Sequence, residues 1–227
     1  MDNRLKVVIA AAGMGSRMNS GINKQYMLIK GRPVLAYSLD LFDSFHAVES
    51  IVIVAKESEL GYCQEEIVNR YGYKKVAAVI AGGRERQDSV RAGLRFFDDS
   101  HGWVAVHDGA RPCISAALLQ ELLEAAKQWG AAVPGIAARD TLKIVDEKGF
   151  VLETLDRSRI VAVQTPQIFR LEKILAAYEK AYAQDLWGTD DASLFERYGG
   201  RVKIVAGDNR NLKITAPEDL KAAESFL

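Results

Sequence analysis

Cysteine and histidine are scarce in this chain of 227 residues: Cys63 and Cys113, and His46, His101 and His107. The two cysteines lie too far apart for a Cys-x-x-Cys zinc site, and the histidines fall in no metal-ligand spacing. Net charge is missing as well, because 30 basic residues balance 30 acidic ones. No global positive field exists to hold a nucleic acid or an anionic membrane, so any bound anion has to be gripped by a local cluster. No uncharged apolar stretch approaches the roughly 20 residues of a membrane span. No apolar leader core follows the basic start Met1-Asp2-Asn3-Arg4-Leu5-Lys6. Internal repeats and low-complexity tracts are absent too. These absences predict a cytoplasmic protein with reduced cysteines, and neither a nucleic-acid nor a membrane partner.

What is present is the composition of a folded protein, 48% hydrophobic and 26% charged, in a length that suits one domain with a full core. Short apolar runs alternate with helical patterns. Leu5–Ala12, Ile51–Ala55, Val76–Ala81, Trp103–Val106, Ala131–Ala138 and Val202–Val205 read as strands buried on both faces. Between them Pro33 opens a helix carrying Leu35, Leu39 and Phe42. Ser115 caps another that stops at Gly130, and Thr215-Ala216-Pro217-Glu218 has the capping-box pattern of a last one. This alternation predicts an α/β fold, a mostly parallel sheet flanked by helices, with ligands bound outside the carboxyl ends of the strands. The segment 139–159 breaks the rhythm. Two strand-like runs flank Lys148-Gly149 there, which predicts an inserted β-hairpin arm. A lone hairpin is marginal in water, so its apolar side needs a partner surface, either a second subunit or its own domain.

Three loops after strands carry candidate chemistry. The first runs Ala11-Ala12-Gly13-Met14-Gly15-Ser16-Arg17-Met18 and on to Lys24-Gln25-Tyr26. Glycines there let backbone N–H groups approach an anion, and Arg17 and Lys24 add charge that suits a triphosphate. No Walker Gly-Lys-Ser/Thr follows, and Met18 stands where a dinucleotide fingerprint needs its third glycine or alanine. A tight strand-to-helix turn with solvated cations fits the same residues. The second loop is Gly82-Gly83-Arg84-Glu85-Arg86-Gln87-Asp88-Ser89. Its glycine backbone could read a base edge and Ser89 a ribose, or the segment is a charged helix start. The third is His107-Asp108-Gly109-Ala110-Arg111-Pro112. Asp108 suits a metal or sugar hydroxyl and Arg111 a phosphate, or the two form a local ion pair. Thr141, Arg157, Thr165, Thr189 and Lys213 are further candidates. Thr189 also suits a helix cap, and Asp190 and Asp191 a helix first turn.

The ordered set resembles the 2-C-methyl-D-erythritol 4-phosphate cytidylyltransferase family over nearly the whole chain. The resemblance rests on Ala-Ala-Ala-Gly-Met-Gly-Ser-Arg-Met at 10–18, Lys24-Gln25-Tyr26, Gly83 to Ser89 with Ser-Val-x-x-Gly-Leu at 89–94, and His-Asp-Gly-Ala-Arg-Pro at 107–112. It continues in Arg139-Asp140-Thr141, Thr165-Pro166-Gln167, Thr189-Asp190-Asp191-Ala192-Ser193 and Lys213 with Pro217-Glu218-Asp219-Leu220. It implies a Rossmann-like fold of the nucleotide-diphospho-sugar transferase type, with residues 1–227 as one nucleotidyltransferase domain. It implies transfer of a cytidylyl group from CTP to methylerythritol 4-phosphate with Mg²⁺, in a cytoplasmic homodimer joined through the arm. The implied catalytic cations are Arg17 and Lys24, with Arg157 and Lys213. Ala11, Ala12, Gly13, Gly83, Ser89, Asp108 and Gly109 match nucleotide positions, and Arg111, Thr141, Arg157, Thr165, Thr189 and Lys213 match sugar-phosphate positions. Arg84 departs from relatives with an acidic residue there.

Scarce His and Cys agree with such chemistry. A phosphate monoester is already a nucleophile, and positioning and cations do the work. Three other readings share parts of the pattern: a ribitol 5-phosphate cytidylyltransferase, a dinucleotide-dependent oxidoreductase and a non-catalytic nucleotide sensor.

Overall fold

The computed structural model describes residues 4–13, 23–97 and 101–227. Its first strand, β1 (Leu5–Ala10), is the centre of the molecule. A small hairpin, β2 (Leu28–Ile29) and β3 (Arg32–Pro33), leads into α1 (Val34–Ser44) and β4 (Val48–Ala55). A short helical stretch, α2 (Leu60–Tyr62) continuing as a π-helical Cys63–Asn69, precedes β5 (Val76–Ala81), α3 (Arg86–Phe96), β6 (Trp103–Asp108), α4 (Ala116–Trp129) and β7 (Ala131–Ala137). The hairpin β8 (Lys143–Val145) and β9 (Val151–Thr154) comes next, then β10 (Val161–Val163), β11 (Gln167–Arg170), α5 (Leu171–Ala183), α6 (Asp191–Arg197), β12 (Lys203–Ala206) and α7 (Pro217–Glu224).

The main sheet runs β10-β7-β11-β6-β1-β4-β5, with β12 parallel to β7. β1 pairs in parallel with both β4 and β6. The chain thus leaves β1 to one side, through β4 and β5, and returns to its other side at β6. That reversal opens a crevice beyond the carboxyl ends of the central strands, where doubly wound sheets bind ligands. β11 and β10 are antiparallel insertions, so the sheet is mixed at that edge. Both were missed as strands because three or four residues carry too little alternation to read.

Alternation along β1 builds the two faces. Leu5, Val7 and Ile9 pack with Leu35, Leu39 and Phe42 of α1 and Leu119 and Leu122 of α4. Val8 packs on the other side with Val90 and Leu94 of α3 and Ile174 and Tyr178 of α5. Ser115 caps α4 as its sequence predicts, accepting from the Leu118 N–H at 3.2 Å, and Gly130 ends it at φ +94°. Two other caps differ from expectation. Thr189 does not cap α6; Asp190 does, accepting from the Ser193 N–H at 2.9 Å. Before α7 the closing acid is Asp219 and not Glu218: its carboxylate accepts from the Thr215 and Ala216 N–H groups and the Thr215 hydroxyl. Among the described residues no helix is long and apolar enough to cross a membrane.

The arm has the predicted form. β8 and β9 pair antiparallel, with Gly149 at φ +85° in the turn. Ile144, Val145, Phe150, Val151 and Leu152 on it are all exposed, Phe150 at 69%.

α3 lies hard against the sheet at Gly93. A β-carbon there would sit 2.4 Å from Val8 Cγ1 and 3.1 Å from Val54 Cγ2, both on stiff, buried side chains. Gly93→Ala gains helix propensity but overpacks this contact. A net loss of about 1–2 kcal/mol is expected in urea unfolding; an unchanged or increased stability would show that α3 sits with slack on the sheet.

Candidate active site

The crevice at the strand ends encloses about 610 Å³. One wall is the backbone leaving β1, Ala11–Gly13, fixed by the Ala11 N–H on the Val54 carbonyl at 2.8 Å. Gln25, buried, donates its side-chain amide to the Ala11 carbonyl and so ties the Lys24–Tyr26 turn to that wall. Lys24 therefore comes to the cavity on a braced turn. A β-carbon at Gly13 would meet nothing within 4 Å, which leaves its backbone open to a ligand.

The opposite wall is the loop from β5 into α3. At Gly82 a β-carbon would lie 2.6 Å from both Ala12 Cβ and Ser89 Oγ, so only glycine lets the two walls close this far. The Ser89 hydroxyl is engaged within the loop, accepting from the Gly83 N–H and donating to the Glu85 carbonyl, each at 3.2 Å. Arg84 stands exposed at the rim.

Asp108, at the end of β6, forms the floor. Lys213 Nζ lies 2.8 Å from its Oδ2, Arg86 Nε 3.0 Å from its Oδ1 and Arg111 Nε 3.6 Å from its Oδ2. Burial works against the carboxylate, but Arg86, Lys213 and Arg111 win and hold the Asp108 carboxyl well below the usual range. Lys213 reaches the floor on the strand-like segment after β12, held by the Ile214 N–H on the Ala110 carbonyl at 2.8 Å. Behind it, Asp219 couples the end of the chain to Lys24. Burial raises its pKa, yet the donors of Thr215 and Ala216, then the charge of Lys24, leave it lowered.

A buried polar layer supports the floor. The Arg111 carbonyl can only accept, so its 3.1 Å contact makes His107 Nε2 the donor in a neutral ring. Nδ1 then accepts from the Thr165 hydroxyl at 3.2 Å, and that same oxygen accepts the Asp108 N–H at 3.1 Å. Asn211 donates to the Thr165 carbonyl and accepts from Arg111 on its own carbonyl, each at 2.8 Å.

The residues singled out from sequence thus separate by location. Ala11, Ala12, Gly13, Lys24, Gly83, Ser89, Asp108 and Lys213 all line one crevice. Gly109, whose N–H donates to the Ala10 carbonyl at 2.9 Å, Arg111 and Thr165 lie behind its wall. Thr141, Arg157 and Thr189 are exposed and do not line it; Arg157 donates to the Arg139 carbonyl at 2.6 Å. Arg17 lies outside the described residues. Arg86 lines the crevice and was not singled out, because its second partner, Asp191, is 105 positions away. Asp190 and Asp191 serve the helix start and this ion pair, as the first-turn reading allowed.

Strand-end loops with open backbone and three lysines, Lys24, Lys56 and Lys213, around one crevice have the form of an α/β nucleotidyltransferase. Comparison with known proteins makes the family specific. The family model described as IspD, 2-C-methyl-D-erythritol 4-phosphate cytidylyltransferase, matches residues 5–227. Proteins of that name from Geotalea uraniireducens and Caldanaerobacter subterraneus are 47% and 44% identical, over 99% and 98% of this chain and 97% and 98% of theirs. The crystal structure of 4-diphosphocytidyl-2C-methyl-D-erythritol synthase from Anaerococcus prevotii superposes with a TM-score of 0.87 at 31% identity, covering 99% of this chain and 96% of that one. The Francisella tularensis 2-C-methyl-D-erythritol 4-phosphate cytidylyltransferase gives 0.83 at 32%, covering 99% and 100%. The chain belongs to the 2-C-methyl-D-erythritol 4-phosphate cytidylyltransferase family. It is therefore an enzyme, a cytidylyltransferase that uses CTP and 2-C-methyl-D-erythritol 4-phosphate; the ribitol phosphate reading is not favoured, and the oxidoreductase and sensor readings lose their support.

His107 supplies a stability signature. Burial is the main cause that lowers its pKa from 6.5 to about 4. Between those values the unfolded chain binds a proton that the native one refuses, so stability is full above pH 6.5 and drains away as pH falls toward 4. From this group alone, urea titrations at pH 7 and pH 5 should differ by about 2 kcal/mol. His107→Gln should shrink that difference, whereas an equal pH dependence in the variant would show that His107 is not its source.

Proposed function

We propose that the crevice binds CTP and that methylerythritol 4-phosphate attacks it there. An oxygen of the 4-phosphate forms a bond to the α-phosphorus, the bond to the α–β bridging oxygen breaks, and pyrophosphate leaves with the electron pair. The nucleophile is already ionised, so no residue need activate it; the obstacle is the meeting of two anions. The convergence of Lys24 and Lys213 on a crevice walled by Ala11–Gly13 and Gly83 carries this reading. Lys24, with Arg17, would stabilise charge on the α-phosphoryl oxygens. Ala11, Ala12, Gly13, Gly83, Ser89, Asp108 and Gly109 would form the nucleotide side. Arg111, Thr141, Arg157, Thr165, Thr189 and Lys213 would form the sugar-phosphate side, Arg111 and Thr165 by positioning from behind the wall.

Mg²⁺ fits as an ion carried by the triphosphate. Asp108 is already enclosed by cations, and no group of three His, Cys, Asp or Glu able to hold a metal occurs among the described residues. When bound, the ion would offset phosphate charge. Arg157 and Thr141 lie at the root of an arm whose apolar residues are exposed. A homodimer in which each arm covers the other protomer would bury those residues and bring Arg157 to the partner's crevice. The cytoplasm, which supplies CTP, is the proposed location.

The deciding assay is pyrophosphate release from CTP with methylerythritol 4-phosphate or with ribitol 5-phosphate. Turnover is expected with the first; preference for the second would reassign the acceptor. Lys24→Ala should lower kcat about 10²–10³-fold, the cost of losing one oriented charge at the transition state, with circular dichroism unchanged. Wild-type turnover would remove Lys24 from the mechanism. Deleting residues 141–156 should give a monomer by light scattering; a persistent dimer would rule out arm exchange.

A further inference from the structure

Arg86 lines the crevice and is held there by two carboxylates. Nη1 and Nη2 each lie 2.9 Å from one oxygen of Asp191, whose side chain is fully buried, while Nε lies 3.0 Å from Asp108 Oδ1. Asp191 is itself fixed. Tyr178, buried in the α5 face of the core, donates its hydroxyl to Asp191. Gln167 grips the start of α6 from β11, donating to Asp190 at 2.7 Å and accepting from the Ala192 N–H at 2.9 Å. The guanidinium is thus clamped from behind by a carboxylate that has no route to solvent. Part of it still faces the cavity, its side chain being 32% exposed.

The three cations on Asp108 are not equivalent. Lys213 is a single ammonium on a flexible stem. Arg111 is farther away, and its Nη1 is spent on the Asn211 carbonyl. The position of Arg86 alone is set by a second carboxylate. An incoming phosphate competes with Asp108 for Lys213, and a buried carboxylate stripped of its partner is costly. Arg86 is the charge that stays.

Resting on the reading that Asp108 meets the nucleotide, we infer that Arg86 is a positioning residue: clamped by Asp191, it holds the Asp108 carboxylate in its cavity-facing orientation while Lys213 engages substrate. The geometry is specific to arginine. One flat fork serves two carboxylates at once, which a lysine ammonium cannot reproduce.

The test uses two variants of the full chain. Arg86→Lys keeps the charge beside Asp191. The pair Arg86→Met with Asp191→Asn removes both buried charges together, so neither is left uncompensated. Thermal unfolding, CTP affinity by calorimetry, and pyrophosphate release with each substrate varied separately are measured. The inference predicts that both variants fold and that their KM and Kd for CTP rise by about tenfold or more. The KM for the sugar phosphate should rise too, because Asp108 then retains Lys213, and Arg86→Lys should be the milder of the two. Unchanged CTP affinity in either folded variant overturns it. So does a loss in every parameter that merely tracks a lowered Tm, the mark of a purely structural ion pair. If wild type binds CTP but releases no pyrophosphate, the proposed reaction fails, and the calorimetric comparison still decides the role of Arg86. If wild type does not bind CTP, both fail.

Discussion

One buried carboxylate organises this molecule. Asp108 sits at the end of a central strand with almost no solvent, and it stays ionised there because Arg86, Lys213 and Arg111 surround it. Remove that carboxylate and three cations from three distant parts of the chain lose their meeting point. The α3 start, the segment after β12 and the turn after β6 are thereby drawn to one place, and the crevice is the space they leave. A chain with no net charge can hold two polyanionic substrates in this way, because its cations are gathered locally while acids elsewhere balance them.

The layer beneath the floor explains why so many polar residues are buried without obvious chemistry. His107 is neutral and passes one hydrogen bond to the Arg111 carbonyl while taking one from Thr165. Thr165 in turn receives the Asp108 backbone, and Asn211 links Thr165 to Arg111. Although among the described residues Arg111 Nε and Asn211 Oδ1 are buried without a hydrogen-bond partner, most polar groups of this layer are paired with one another, which makes it rigid. It places a charged floor at fixed distance from the Ala11–Gly13 wall, which is what an enzyme that works by positioning requires.

Much of this was legible in the sequence. β1 and β6 are continuous apolar runs because both their faces are covered, whereas β5 is apolar in sequence yet only partly covered at the sheet edge; each of these three strands leads into a loop that carries candidate residues. Asp108 could be recognised as an acid at a strand end, Lys24 as a cation beside a glycine loop, Lys213 through the family resemblance, and the arm by its Lys148-Gly149 turn. The rest depends on three-dimensional pairing that local pattern does not encode. The partnership of Arg86 with Asp191 spans 105 positions and has no periodic signature. The contacts of the Thr165 hydroxyl with the Asp108 N–H, and of Arg111 Nη1 with the Asn211 carbonyl, likewise join residues far apart in the chain, whereas the Asp108–Arg111 ion pair is the local one the sequence allowed. β10 and β11, only three and four residues long, become strands because β7 and β6 offer them free edges.

The most direct test of the central claim is a crystal structure with CTP and a non-reactive acceptor phosphate bound. The account predicts phosphate oxygens within hydrogen-bond distance of Lys24 and Lys213, with the nucleotide against Gly13 and Gly83 and the Arg86 contact to Asp108 intact. Phosphates bound elsewhere, with Lys213 still closed on Asp108 and the crevice empty, would contradict it.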